Sequence, residues 1–184
     1  MNDRILDAAL ALAGASGLRH LTMDDVARRA GVGRMTVYRR FGDRAGLVEA
    51  LRAREAARVL AEMDAASPVD APIEDQVAAG FVTALRLSRE HPLLNRLART
   101  EPDQVVWAMR DGLFATCRAY LTGRLEAAQD AGVLGPGPVA PMAELLVRVV
   151  LSFVLIDDTV LDVEDDAQAR ELARRYLAPV LAPP

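Results

Sequence analysis

The chain has 184 residues and a net charge of -4, and all 22 of its basic residues are arginine. Without lysine there is no P-loop phosphate site, no pyridoxal Schiff base and no kinase strand lysine, so those enzyme classes are excluded. The charge is also divided: residues 1–58 hold eleven arginines against seven acids, and the remainder holds eleven against nineteen, so only the N-terminal part suits a polyanionic partner.

Apolar residues recur at helical spacing almost throughout, and no stretch alternates as a strand would, so the expected class is all-α. A first helix is predicted over about Asp3–Ala15, with Ile5, Leu6, Ala9, Leu10 and Ala13 on one face and a stop at Gly17. A second begins at Thr22, whose hydroxyl can cap it while Asp24 and Asp25 favour its positive end, and runs to about Ala30. Gly31-Val32-Gly33 breaks the chain before a short helix, Arg34–Phe41, and a long helix then runs from about Arg44 to the linker-like Ser67–Pro72, expected to connect two domains. Beyond it, helices are predicted over Ile73–Glu90, about Leu93–Arg99, Asp103–Asp130 without interruption, Ala140–Leu161 and Asp165–Leu181.

Val26, Ala27, Ala30, Gly31, Val32 and Val37 have the spacing of a helix-turn-helix, in which apolar positions lock two helices and glycine takes the turn. On that scaffold Arg34, Met35, Thr36 and Arg39 fall on or near the exposed front of the second helix, where base edges are read. Thr22, Tyr38 and Arg44 sit at helix ends, where hydroxyl, phenol and guanidinium groups would bond phosphates.

The run from Leu21 to Leu47, and Thr36-Val37-Tyr38-Arg39-Arg40-Phe41 above all, resembles the DNA-binding signature of the TetR (tetracycline repressor-like) family. The resemblance covers residues 3 to about 60. Gly33 stands where a serine is common, Met35 is bulkier than usual, and Arg44 replaces a frequent lysine. The implied architecture is an N-terminal three-helix DNA-binding domain, residues 1–46, and a C-terminal helical effector-binding and dimerisation domain, residues 47–184. The implied function is a repressor that leaves a palindromic double-stranded DNA operator when a small-molecule effector binds. An effector-independent dimeric DNA-binding protein is the alternative.

The resemblance also implies that the last two long helices pair with those of a second copy. A helix as apolar all round as Leu145–Ile156 independently asks for partners on several sides. Leu146, Val150, Phe153, Val154 and Tyr176 are the expected homodimer contacts. Phe81, Leu85, Trp107, Met109, Phe114, Cys117 and Tyr120 are candidate effector-pocket residues, as large adaptable side chains at helical spacing, although core residues share that spacing.

No cofactor, metal or catalytic group is expected. His20 and His91 are the only histidines, and the acids Asp157, Asp158, Asp162, Glu164, Asp165 and Asp166 lack the spacing of a calcium loop. A lone Cys117 cannot form an internal disulfide, the N-terminus does not read as a signal peptide, and the apolar run is short and holds Arg148. A cytoplasmic protein without a membrane partner is therefore expected.

Overall fold

The computed structural model describes residues 1–156 and 158–181, and every described segment of regular structure is helical. In chain order these are α1 (Asn2–Ser16), a short turn at Leu18–His20, α2 (Met23–Ala30), α3 (Arg34–Phe41), α4 (Arg44–Ala66), α5 (Ile73–Glu90), α6 (Pro92–Thr100), α7 (Pro102–Ala108), α8 (Phe114–Asp130), α9 (Val139–Leu155) and α10 (Asp166–Leu172). α10 continues through a wide turn at Ala173–Leu177 into a tighter one at Ala178–Leu181.

α1 buries Ile5, Leu6, Ala9 and Ala13 because 3.6-residue periodicity puts them on one stripe. They meet Val26 and Ala27 of α2, Val37 of α3, and Leu47 and Leu51 of α4 in one cluster. Leu93 of α6 lies in the same cluster, and Leu97 packs against it. The N-terminal core therefore does not close at residue 46: two α4 leucines and the far helix α6 are needed to fill it. Close packing makes that possible, since a Cβ on Gly14 of α1 would come within 2.8 Å of Pro92 Cβ.

A second cluster joins α5, α8, α9 and α10, with Val77, Phe81, Val82 and Leu85 facing Leu125, Ala143, Leu146, Ala173 and Leu177. Phe153 meets Phe81 edge to face, with ring centroids 5.5 Å apart. The linker-like Ser67–Pro72 is a pinned turn here. Gln76 Nε2 donates to the Val69 and Ala71 carbonyls at 2.8 and 2.9 Å, and Ser67 Oγ donates to the Gln76 carbonyl at 3.3 Å.

Two predicted helices are shorter than expected. Asp103–Asp130 is broken at Asp111 and Gly112, where Gly112 has φ 108°, a conformation glycine adopts without the steric cost of a side chain. The apolar periodicity on both sides concealed that break. The helix predicted over Ala140–Leu161 ends at Leu155, and Ile156 is extended. Acidic side chains follow it, and they oppose further helix at the negative end of the helix dipole.

Candidate DNA-binding surface

Thr22 caps α2: its hydroxyl oxygen accepts from the Asp25 amide at 3.1 Å, and the hydroxyl donates to Asp25 Oδ2 at 2.6 Å. α2 ends at Gly31 in the left-handed region, φ 61° and ψ 42°, and the Val32 amide donates to the Ala27 carbonyl at 3.0 Å. Arg4 of α1 adds a hydrogen bond to the Gly31 carbonyl at 3.3 Å, bracing the turn from outside the motif. α3 then leaves at the angle set by Val37, which has no exposed surface and anchors the helix to the cluster below.

The opposite side of α3 is basic and open. Met35 is 76% exposed, and Arg34, Arg39 and Arg40 are exposed beside it. Thr36 and Tyr38 are half-buried. The Arg34 guanidinium lies 2.9 and 3.0 Å from the two carboxylate oxygens of Asp24 on α2. It donates to the Tyr38 hydroxyl at 3.2 Å and stacks 5.2 Å from that ring's centroid. The hydrogen bond to Tyr38 and the Asp24 charge both push the Arg34 pKa above its ordinary value, so this group stays cationic. Arg40 donates to Asn2 Oδ1 at 2.6 Å, tying α3 back to α1.

Arg44, an expected phosphate contact, is exposed and also holds the chain together. Its Nε donates to the Leu21 carbonyl at 2.9 Å and its Nη2 to the Leu18 carbonyl at 2.6 Å. The Leu18 carbonyl also accepts from the Leu21 amide at 3.2 Å, so the guanidinium fork adds a second donor there and supplies one to the Leu21 carbonyl. Arg44 thus clamps the start of α4 onto the connection between α1 and α2. The α3–α4 corner is equally specific: Asp43 accepts from the Gly46 amide at 2.9 Å, and any side chain on Gly46 would run into the Phe41 carbonyl.

Sequence reasoning treated Asp24 as a helix-end charge and passed over Arg4 and Arg40. Their partners lie 10 to 38 residues away in the chain, so no local pattern displays them.

The residues expected around an effector do not share one setting. Phe81 and Leu85 are buried in the second cluster, each 3% exposed. Trp107 is half-exposed under the Arg52 guanidinium of α4, 5.4 Å from its ring centroid. Phe114 lies 4.9 Å below Arg148, and Met109 sits at the α7–α8 break. Burial pushes the Cys117 thiol above its ordinary pKa. Tyr120 donates to Asp64 Oδ1 at 2.7 Å. Two surface depressions, about 200 Å³ beside Arg19 and Arg96 and about 380 Å³ beside Ile73 and Leu134, are lined by none of the seven.

Of the expected dimer contacts, Leu146 faces inward and is buried in the chain's own core, whereas the preceding position, Leu145, faces out at 52% exposure. Val150, Phe153 and Val154 are half-buried and Tyr176 is exposed.

His91 caps α6, accepting from the Leu94 amide through Nδ1 at 3.4 Å. Its Nε2 lies 3.1 Å from Glu55 Oε2, a buried α4 carboxylate that also takes Arg54 at 2.7 Å. Asp165 caps α10 by accepting from the Ala167 and Gln168 amides at 2.9 Å, while Asp157 lies outside the described residues. Among the described residues no helix is long and apolar enough to cross a membrane.

Residues 5–51 match the family of bacterial regulatory proteins, tetR family. A helix-turn-helix-type transcriptional regulator of Mycobacterium tuberculosis is 28% identical over 165 residues, 89% of this chain and 85% of its own. The regulator YvkB of Bacillus subtilis is 46% identical over 50 residues, 27% of this chain and 26% of its own. A TetR-family transcriptional regulator of known structure from Mesorhizobium loti shares the fold, with a TM-score of 0.72 at 17% identity over 98% of this chain and 94% of that one. The braced helix-turn-helix and its basic exposed helix thus lie within the segment that matches the tetR-family model, and the chain as a whole shares its fold with TetR-family regulators of known structure.

Proposed function

We propose that the chain is a homodimeric repressor that binds a palindromic operator and is released by a small-molecule effector. The observation that carries this reading is the outward face of α3, where Arg34, Met35 and Arg39 stand free of the core that Val37 enters. Arginine can pair bidentately with guanine, and a methionine side chain can touch a thymine methyl. Thr36 stands beside these residues toward the base edges, and Tyr38, with Thr22 at the start of α2, offers a hydroxyl group for phosphate contact. The exposed Leu145 of α9 and Tyr176 in the turn after α10 give this side an apolar outer face for a second copy, which would set two α3 helices roughly 34–36 Å apart on successive major grooves.

Release by an effector is supported by the way α6 is shared. Leu93 fills the N-terminal core while its helix follows directly from α5 of the second cluster, so movement in the C-terminal part is carried into the DNA-binding part. A dimeric DNA-binding protein without an effector is the second reading, favoured by the burial of Phe81 and Leu85 in a filled core.

The test is titration of the protein against duplex fragments from its own upstream region at two salt concentrations, with Arg39→Ala in parallel. Tight, salt-sensitive binding to a palindromic fragment, lost in the variant, supports the reading; equal weak binding to every fragment opposes it. Screening small molecules for release of that complex then separates the two readings.

A further inference from the structure

We propose that Asp24 is a positioning residue for DNA readout: it holds the Arg34 guanidinium in one orientation at the front of α3, so that Arg34 reads a single base pair and does not drift to a phosphate. The inference rests on the DNA-binding role of α3 set out above and adds a residue that does not itself need to touch DNA.

Asp24 is not occupied with capping its own helix, because Thr22 accepts from the Asp25 amide and Asp25 in turn takes Arg28. Its carboxylate faces α3, with one oxygen 2.9 Å and the other 3.0 Å from the Arg34 guanidinium. A third hold comes from Tyr38, whose hydroxyl is 3.2 Å from Arg34 Nη2 and whose ring lies under the guanidinium. Arg34 is thus fixed from two helices at once. A guanidinium has five N–H donors; two are in hydrogen bonds here, Nη1 to Asp24 and Nη2 to Tyr38, and each of these nitrogens keeps a second N–H for the two acceptors, O6 and N7, on the major-groove edge of guanine.

A carboxylate at this position is unfavourable for affinity, since it stands beside the helix that must approach a polyanion. The pair is also more than half exposed on both sides, so it adds little to the stability of the fold. A charge that weakens general attraction and contributes little to folding has its effect on selectivity: an unrestrained arginine pairs with any phosphate within reach, and a restrained one does not. Arg39 provides an internal contrast, being exposed with no hydrogen bond from its side chain among the described residues.

The experiment selects the preferred duplex of the wild-type protein from a random pool. It then measures wild type, Asp24→Asn, Asp24→Glu, Arg34→Ala and the Asp24→Asn/Arg34→Ala pair on that duplex, on each single base-pair variant and on an unrelated duplex, with a melting curve for each protein. Asp24→Asn is expected to bind the unrelated duplex more tightly, while its discrimination at one base pair per half-site falls about tenfold, within the range of a lost bidentate contact. Asp24→Glu should recover part of that discrimination, and Asp24→Asn should change nothing at that position once Arg34 is alanine. Unchanged discrimination in Asp24→Asn at every position overturns the proposal. So does a uniform loss on all duplexes accompanied by a lower melting temperature, which is the signature of damage to α2. A wild type with no preferred sequence overturns this inference and the operator-binding reading together, whereas a selective wild type matched by Asp24→Asn overturns the positioning role alone.

Discussion

The two hydrophobic clusters are built from different materials. In the N-terminal one, the large side chains of Ile5, Val26, Val37, Leu47 and Leu51 have no exposed surface, alongside Ala9 and Ala13. In the C-terminal one, the residues without exposed surface are Ala78, Ala128, Ala143 and Ala173, and larger side chains such as Val149, Val150 and Phe153 are left half-covered. Interlocked large side chains fix a geometry, because moving any one of them opens a cavity. Alanine seams let helices approach closely and forfeit less when they slide. On the proposed function, a reading head must keep its shape, and a domain that receives a partner copy and a signal must be able to adjust. The difference in packing material follows that division of labour.

The contrast can be broken from the N-terminal side first. Leu47→Ala should lower stability by about 2–5 kcal/mol, because it removes a fully buried side chain from a core that cannot collapse around the gap. The midpoint of urea unfolding measures this. A loss no greater than that of an exposed substitution would mean that the small core is looser than described. Leu93→Ala, on the borrowed helix, should fall in the same range of about 2–5 kcal/mol and reduce DNA binding as well, though residue 93 lies well outside the helix-turn-helix.

The junction comes next. Burial pushes the Glu55 carboxyl up, but hydrogen bonds from His91 and Arg54 and the charges of Arg54 and Arg58 outweigh it and hold the group below its ordinary value. A carboxyl lowered by folding stabilises the native state above its unfolded pKa, and that contribution disappears as pH falls through the folded value. The wild type should therefore lose this stability below about pH 4.3, the ordinary glutamate value. Glu55→Gln should be less stable at neutral pH by about 1–3 kcal/mol and show a shallower acid dependence, as followed by urea midpoints from pH 3 to 7.

Leu145→Arg sharpens the other half of the contrast. It puts a charge on the exposed outer face of α9, so it should leave the melting of an isolated protomer nearly unchanged while sedimentation shows the dimer dissociating. Full retention of the dimer would place the contact surface elsewhere. The smallest effect expected is that of Tyr120→Phe, which removes only the hydrogen bond from α8 to Asp64 of α4 and should cost about 0.5–1.5 kcal/mol in the same unfolding assay.

Helix identity was legible in the chain because its signals are local. Thr22, Gly31 and Gly42 mark ends that the backbone itself requires, and the stripe of Ile5, Ala9 and Ala13 states which face is buried. The helix-turn-helix and its exposed Arg34, Met35 and Arg39 follow from the same short-range rules, as does the break at Ser67–Pro72. Tertiary structure alone decided what depends on residues far apart meeting. It bonded Arg44 to two carbonyls, set Asp24 against Arg34, brought Leu93 into the N-terminal core and buried Leu146 while leaving Leu145 outside. Periodicity assigns a residue to a face but cannot say which neighbour that face will meet. The guanidinium of an arginine reaches whichever acceptor the folded chain brings near it, and that acceptor is a property of the whole arrangement of helices.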